Sequence, residues 1–242
     1  MRADVDHPMP RATTKTTRTK AKILLVDDHP VVRQGFTQLI DQTPDLQVCG
    51  EADDVPKAIA AIAATKPDLV IVDLSLAGAS GLDVISEAKV RYPTLPLFVL
   101  SMHDETLYAE RALRAGARGY AMKDKPTPEI MAAIRRVLAG EIYLSERMSG
   151  RLLQRLVSGS AESSNSLIGT LSNRELQVFE LIGQGHATRD IAEKLHLSVK
   201  TIDTHRENIK RKLHLGDTIE LHQHAFLWMQ RLPDSDKQRP VD

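Results

Sequence analysis

The chain has only one cysteine, Cys49, so no disulfide can form within it, which fits a reducing cytosol. Cys49 closes the apolar stretch Leu46-Gln47-Val48-Cys49 and is expected to be a small buried residue rather than a reactive thiol. Net charge is absent as well: 32 Lys and Arg balance 32 Asp and Glu, so bulk charge argues neither for nor against a polyanionic partner. No apolar run approaches the ~18 residues of a membrane-crossing helix. The first 20 residues are rich in Thr, Lys, Arg and Pro and lack the apolar core of a secretory signal. They read as a disordered basic tail over 1–21, with an arm that touches nucleic-acid phosphates as the other reading. The nine histidines show no paired spacing with cysteine, which argues against a zinc site. Internal repeats are missing too. The expectation is a cytoplasmic protein with no membrane partner.

What is present is an alternation. Apolar runs at 23–26, 47–50, 69–72, 97–100 and 119–122 read as strands. Helical periodicity lies between and after them, over Val31–Ile40, Val55–Ile62, Leu82–Val90, Tyr108–Ala115 and Glu129–Leu138, with Gly116 as a helix stop. Five strands alternating with five helices imply a parallel sheet covered on both faces, an α/β doubly wound domain over 22–140.

Carboxylates punctuate this pattern. Ile23-Leu24-Leu25-Val26 ends in Asp27 and Asp28, and Leu69-Val70-Ile71-Val72 ends in Asp73, followed by a loop with Gly78 and Gly81. The fourth strand ends in Ser101 and the fifth in Lys123. An Asp after a strand is commonly a turn former or a cap. Taken together, the five side chains converge at the carboxyl edge, where such sheets place ligands. Three carboxylates, a lysine and a hydroxyl suit a hard cation beside a phosphate slot. A carboxylate nucleophile there can form an aspartyl phosphate.

Residues 22–140 resemble the receiver domain of two-component response regulators. The matching text is Val26-Asp27-Asp28-His29, Val72-Asp73-Leu74, Ser80-Gly81-Leu82, Leu100-Ser101 and Ala115-Gly116-Ala117-Arg118-Gly119-Tyr120-Ala121-Met122-Lys123-Asp124. The resemblance implies a five-stranded flavodoxin-like sheet in which Asp73 accepts a phosphoryl group from a sensor histidine kinase. It also implies Mg²⁺ held by Asp28, Asp73 and the Ser75 backbone carbonyl, with Asp27 acting through water. Ser101 and Lys123 would bind the phosphoryl oxygens, and Tyr120 would rotate inward as Ser101 moves. One departure is Leu76-Ala77-Gly78 where Met-Pro-Gly is usual, which is expected to loosen the loop. His29 and His103 flank the pocket and are expected to be solvated.

Residues 141–169 are rich in Ser and Gly and read as a helical extension to about Val157 followed by a flexible linker. An all-α unit follows over 170–232, with a tail over 233–242. Ser172-Asn173-Arg174-Glu175 is a capping-box sequence, Gly183 and Gly185 end that helix, Thr188 is a plausible cap for the next, and Ser198 for a helix to Leu213. A last helix covers roughly 217–229. The order Leu171-Ser172-Asn173-Arg174-Glu175, Gly185, Asp190-Ile191-Ala192-Glu193-Lys194-Leu195, Leu197-Ser198-Val199-Lys200-Thr201-Ile202 and His205 to Leu213 resembles the LuxR-type helix-turn-helix of NarL/FixJ response regulators. Double-stranded DNA is the implied partner. Its expected contacts are Lys200, Thr201, Thr204, His205, Asn208, Arg211 and Lys212, with Asp203 and Glu207 facing sideways or toward C or A edges. The final helix, with Ile219, Ala225 and Trp228, either dimerises the DNA-bound form, as the resemblance suggests, or closes the small domain's core.

The expected function is a phosphorylation-switched transcriptional regulator, not an enzyme beyond accepting and losing its own phosphoryl group. It would form a homodimer when phosphorylated and meet RNA polymerase at its promoters. At rest the receiver would shield the recognition helix or the dimer surface. Three alternatives fit less well. A haloacid-dehalogenase-like phosphatase needs a second Asp two residues after the nucleophile, where this chain has Ser75. A dinucleotide-binding enzyme needs a glycine fingerprint where Asp27-Asp28-His29-Pro30 stands. A pseudo-receiver acting through protein contacts alone has no need of the intact Asp27, Asp28, Asp73, Ser101 and Lys123 set.

Overall fold

The computed structural model describes residues 19–158 and 167–231. Most of the expected N-terminal tail, the heart of the linker and the C-terminal tail lie outside the described residues. Five strands, β1 (Ala21–Val26), β2 (Leu46–Ala52), β3 (Leu69–Val72), β6 (Leu97–Ser101) and β7 (Gly119–Met122), form a parallel sheet in the order β2-β1-β3-β6-β7. Strand alternation sorts the apolar runs onto two faces. Leu24, Val26, Val70, Val72, Leu97 and Val99 point to α2 (Val55–Thr65), α3 (Gly81–Arg91) and α4 (Glu105–Ala115). Ile23, Leu25, Leu69, Ile71, Phe98 and Leu100 point to α1 (Pro30–Asp41) and α5 (Thr127–Leu138). Both faces are dry, which is why these strands are continuous apolar runs. Cys49 is only half-buried, with its thiol 3.5 Å from the Thr65 hydroxyl.

The register is what builds the site. Val26 pairs with Val72 across β1 and β3, Val72 with Val99, and Ser101 with Met122. The residues just past these positions therefore emerge at one level of one edge. The strand ends are followed by a two-residue hairpin that the apolar runs do not announce: β4 (Ser75–Leu76) pairs antiparallel with β5 (Ala79–Ser80). Gly78 closes it at φ 72, a left-handed value that glycine adopts without strain. Leu76 is buried in the core beneath α3. Leu76 and the β4–β5 pairing thus anchor the loop that carries Ala77 and Gly78.

After α6 (Glu146–Ser158) and a 3₁₀ turn at 167–170, the second unit packs α7 (Asn173–Gly183), α8 (Thr188–Lys194), α9 (Val199–Leu213) and α10 (Thr218–Arg231). Ser172 and Glu175 form the expected capping box on α7, and Ser198 caps α9 by accepting from Thr201 N. Thr188 is not a cap: α8 starts on it, after Ala187, and its hydroxyl instead takes the Arg206 guanidinium. Gly183 allows α7 and α10 to touch, since a Cβ there would lie 2.7 Å from the Ala225 carbonyl oxygen. The core beneath α3 and α4 is continuous with that of this helical unit.

Candidate phosphoacceptor site and nucleic-acid interface

Asp73 leaves β3 with its backbone N–H held by the Val26 carbonyl, and its carboxylate is 4% exposed. The Ser101 hydroxyl donates to Asp73 Oδ1 at 2.7 Å. Lys123 Nζ donates to Asp73 Oδ2 at 2.8 Å and to Asp27 Oδ2 at 2.6 Å. Burial alone would lower the lysine's pKa, but the Asp73 and Asp27 carboxylates outweigh it and hold the ammonium above its ordinary value. Gly81 opens α3 directly against this strand end: a Cβ on it would stand 1.9 Å from the Asp73 carbonyl oxygen. Ser80 and Asp83 cap that helix, so its N-terminus is fixed beside the carboxylate.

Ligand atoms of Asp27, Asp28, His29 and Asp73 lie within 4.8 Å of one another. His29 Nδ1 is 3.2 Å from Asp27 Oδ1 and 2.8 Å from Asp28 Oδ1, but only the former is aligned as a hydrogen bond. Asp28 Oδ1 is therefore a buried carboxylate oxygen without a hydrogen-bond partner. Burial pushes the Asp28 carboxyl up, and Asp27 and Asp73 add to that against the opposing pull of His29 and His196. An orphaned oxygen among three hard carboxylates fits a hard divalent cation.

The switch residues depart from expectation. Tyr120 already lies inside, fully buried, with its hydroxyl donating to the His103 carbonyl at 2.7 Å. In this structure the ring therefore occupies the inward position beneath α4. Burial pushes both Tyr120 and Tyr108 phenols well above their usual range. His103 is not solvated. Its Nε2 is 3.0 Å from the Ser75 hydroxyl, its Nδ1 is 3.4 Å from Glu180 Oε2, and its ring lies against Tyr108.

Glu180 belongs to α7, so this contact crosses between the two units. The Tyr108 hydroxyl donates to Glu180 Oε2 at 2.9 Å. Arg111 Nη1 and Nη2 donate to the Leu171 and Ile168 carbonyls. Arg174 Nη2 reaches the Leu76 carbonyl in the hairpin after Asp73. His196, at the turn between α8 and α9, stands 3.9 Å from Asp28 Oδ2. Periodicity within either unit could not expose these residues, since the signal lies in how the units meet.

On α9, Ile202, Ile209 and Leu213 are core. Lys200, Thr204 and Arg211 form the outer stripe, and Asp203 and Glu207 share it. Thr201, His205, Asn208 and Lys212 make a second, half-buried stripe. Within it, Lys212 Nζ is bound to Glu175 Oε2 at 2.6 Å, and burial lowers the His205 imidazole. The outer stripe is open to solvent, so the receiver does not shield it; it meets α7 and the α8–α9 turn instead. On α10, Ile219 is 67% exposed, whereas Ala225 is fully buried and Trp228 packs on Phe179 at 5.3 Å between ring centroids. Of the three expected dimer residues, Ala225 lies in the domain's own core and Trp228 is partly buried against it.

Comparison with known proteins agrees with this architecture. Residues 23–135 match the response regulator receiver domain, and residues 169–225 match the bacterial regulatory proteins of the luxR family. The chain is 36% identical over 209 residues to the oxygen regulatory protein NreC of Staphylococcus carnosus (strain TM300), covering 85% of this chain and 96% of that protein. The chain belongs to the NarL/FixJ family of response regulators. Among solved structures, a LuxR-family two-component response regulator from Aurantimonas sp. SI85-9A1 is 33% identical with a TM-score of 0.54, over 57% of this chain and 99% of that one. RcsB from Salmonella enterica serovar Typhimurium, bound to a promoter in the presence of phosphomimetic BeF3-, is 25% identical with a TM-score of 0.55, over 86% and 98%. A receiver joined to a LuxR-type DNA-binding domain makes this response regulator a transcription regulator of a two-component system. Among the described residues, no helix is long and apolar enough to cross a membrane.

Proposed function

We propose that Asp73 is the phosphoacceptor and that its phosphorylation by a sensor histidine kinase frees the LuxR-type domain to bind DNA as a homodimer. The observation that carries this reading is the double hold on Asp73, Ser101 on one carboxylate oxygen and Lys123 on the other. A carboxylate oxygen of Asp73 attacks phosphorus, the bond from phosphorus to the donor's leaving atom breaks, and the leaving group departs with the electron pair. Ser101 and Lys123 are placed to transfer their hydrogen bonds to the phosphoryl oxygens that arrive. Asp28, Asp73 and the Ser75 carbonyl, with Asp27 through water, would hold Mg²⁺, which would supply charge neutralisation for the incoming dianion. Gly81 keeps the α3 N-terminus close, where its dipole favours added negative charge.

At rest, docking blocks DNA by position. The α8–α9 turn that must approach a duplex lies against the acidic pocket, and a phosphate backbone arriving there would meet Asp28 and its neighbours. Once released, Lys200, Thr204 and Arg211 of α9 enter the major groove, and Ile219 with its exposed neighbours on α10 supplies the dimer contact. The kinase, RNA polymerase at the promoter and a cytoplasmic setting complete this reading. Beyond its own phosphorylation and slow hydrolysis, no catalysis is assigned.

The test is Mg²⁺-dependent labelling with acetyl phosphate, wild type against Asp73→Asn, following mass and oligomeric state together. One added phosphoryl group, absent from the variant and accompanied by dimerisation, is expected. No labelling of wild type by acetyl phosphate or by a histidine kinase overturns the reading.

A further inference from the structure

Residues of the DNA-binding domain come up to the residues that surround the acceptor pocket. Two separate lines of contact reach it. One runs from Glu180 on α7 to His103, and from His103 Nε2 to the Ser75 hydroxyl, two residues past Asp73. The Tyr108 hydroxyl anchors the Glu180 end, and Arg174 holds the next carbonyl along the same hairpin, that of Leu76. The other line is the α8–α9 turn itself. His196 sits at φ 52, a conformation that turns the chain sharply, and brings its ring to 3.9 Å from Asp28 Oδ2, the partner oxygen of the orphaned Oδ1.

A divalent cation such as Mg²⁺ keeps most of its waters when it binds carboxylates, so it needs space beyond the ligand atoms. In the docked arrangement the His196 imidazole stands at the edge of that space, 3.9 Å from Asp28 Oδ2. The hairpin that carries Ser75 is also not free to adjust, because Glu180 and Arg174 hold it from the other domain. Cation and docked domain therefore compete for the same mouth of the pocket.

The geometry points to Mg²⁺ binding and domain release being one linked equilibrium: Glu180 and His196 are positioning residues of the acceptor pocket, and the docked DNA-binding domain lowers the pocket's affinity for Mg²⁺ before any phosphoryl group arrives. Linkage makes the effect reciprocal, so Mg²⁺ alone shifts the protein toward the undocked form by the same factor. This inference rests on the reading of the pocket as an Mg²⁺ and phosphoryl site. It adds that the regulator's two domains sense the metal as well as the phosphoryl group.

The experiment uses the full chain in three forms: wild type, His196→Gly and Glu180→Gln. Glycine suits the positive φ at position 196, and glutamine keeps an acceptor for Tyr108, so both variants are expected to fold. Mg²⁺ affinity is measured by titration calorimetry and docking by small-angle scattering, with Mg²⁺ alone and then with Mg²⁺ plus beryllofluoride. The expected result is Mg²⁺ bound about tenfold more tightly by each variant, within the range usual for coupled sites. Added Mg²⁺ should also raise the radius of gyration of wild type, and raise it less in the variants, which start more open. Equal Mg²⁺ affinities in all three forms, or Mg²⁺ bound by wild type with no change in scattering, overturn the inference. If beryllofluoride opens the protein while Mg²⁺ alone does not, the metal linkage falls and the phosphorylation switch stands. If beryllofluoride with Mg²⁺ fails to open it, the proposed switch itself falls.

Discussion

The Tyr108 hydroxyl and Glu180 Oε2 are 2.9 Å apart, and both residues are buried. One belongs to α4 of the receiver and the other to α7 of the DNA-binding domain, so a buried hydrogen bond to a carboxylate holds the two domains. Such a bond contributes about 1.5–3 kcal/mol, and removing one partner leaves the other to pay its desolvation. Tyr108→Phe is therefore expected to favour undocking and to raise DNA affinity of the unphosphorylated protein by at least about tenfold. Fluorescence anisotropy with promoter DNA measures this. Unchanged affinity together with an unchanged radius of gyration would show that the pair does not hold the domains.

Asp73 depends on a glycine it never bonds. Because a Cβ on Gly81 would overlap the Asp73 carbonyl oxygen, Gly81→Ala must push β3's end away from Ser101 and Lys123. Overpacking of this kind costs about 1–3 kcal/mol, and the larger effect should fall on chemistry, with acetyl-phosphate labelling reduced at least tenfold. Gly78→Ala is the control. It meets open space but carries φ 72, so it is expected to cost about 1–2 kcal/mol and to retain labelling. Equal labelling rates for the two variants would refute the assignment.

Asp28 is a stability liability that a bound cation would relieve. Burial raises its pKa, so folding favours the protonated form. That contribution is fully present below the unfolded pKa of about 3.9 and is lost as pH rises through the folded pKa. At neutral pH in chelator, Asp28→Asn is expected to melt about 2–4 °C higher than wild type, corresponding to roughly 1 kcal/mol. Added Mg²⁺ should stabilise wild type and not the variant. A variant that melts lower in chelator would show that the ionised carboxylate is well satisfied.

The cluster at the carboxyl edge was legible because each member is the local end of an apolar run. Val26, Val72 and Leu100 announce strands, and parallel pairing brings Asp27, Asp73, Ser101 and Lys123 to one edge with no further information. The helix caps at Ser172 and Ser198 were legible for the same reason, since their partners lie three residues away. What was hidden depends on how the two units dock. His103 reads as a loop histidine, Glu180 as one acid on an amphipathic helix, and Arg174 as a charge within a capping box. Each acquires its role from a residue 70 to 100 positions away. The packed position of Tyr120 and the choice between the two readings of Ala225 were hidden for a related reason: residue type and spacing do not say whether a side chain is already packed.

Glu175 ties the acid stability of the DNA-binding domain to one ion pair. Burial alone would raise its carboxyl pKa, but hydrogen bonds from Lys212 and Ser172 outweigh it and hold the group below the usual value. A lowered folded pKa means the stabilisation is present above the unfolded value of about 4.3 and is lost as pH falls through the folded pKa. Trp228, the chain's one tryptophan, packs on Phe179 in the same domain and reports its unfolding. Wild type is expected to lose urea resistance below about pH 4.3, with Glu175→Gln less stable at pH 7 and flatter across that acid window. Parallel pH profiles would sink the assignment.

The same ion pair separates two lysines that look alike on α9. Lys200 and Arg211 lie on the solvent-facing stripe, free to neutralise phosphates, whereas Lys212 is bound to Glu175 at 2.6 Å. Each phosphate contact adds about one to the slope of log affinity against log salt. Lys200→Ala and Arg211→Ala are each expected to reduce that slope by about one and weaken binding to all sequences. Lys212→Ala should leave the slope near the wild-type value and instead lower the urea midpoint of the domain, because it strands a buried carboxylate. Asp203→Asn, on the outer stripe, should strengthen nonspecific binding by removing a repulsive charge. Should Lys212→Ala reduce the slope as much as Arg211→Ala does, Lys212 must leave Glu175 when DNA binds, and the half-buried stripe would have to be counted as part of the interface.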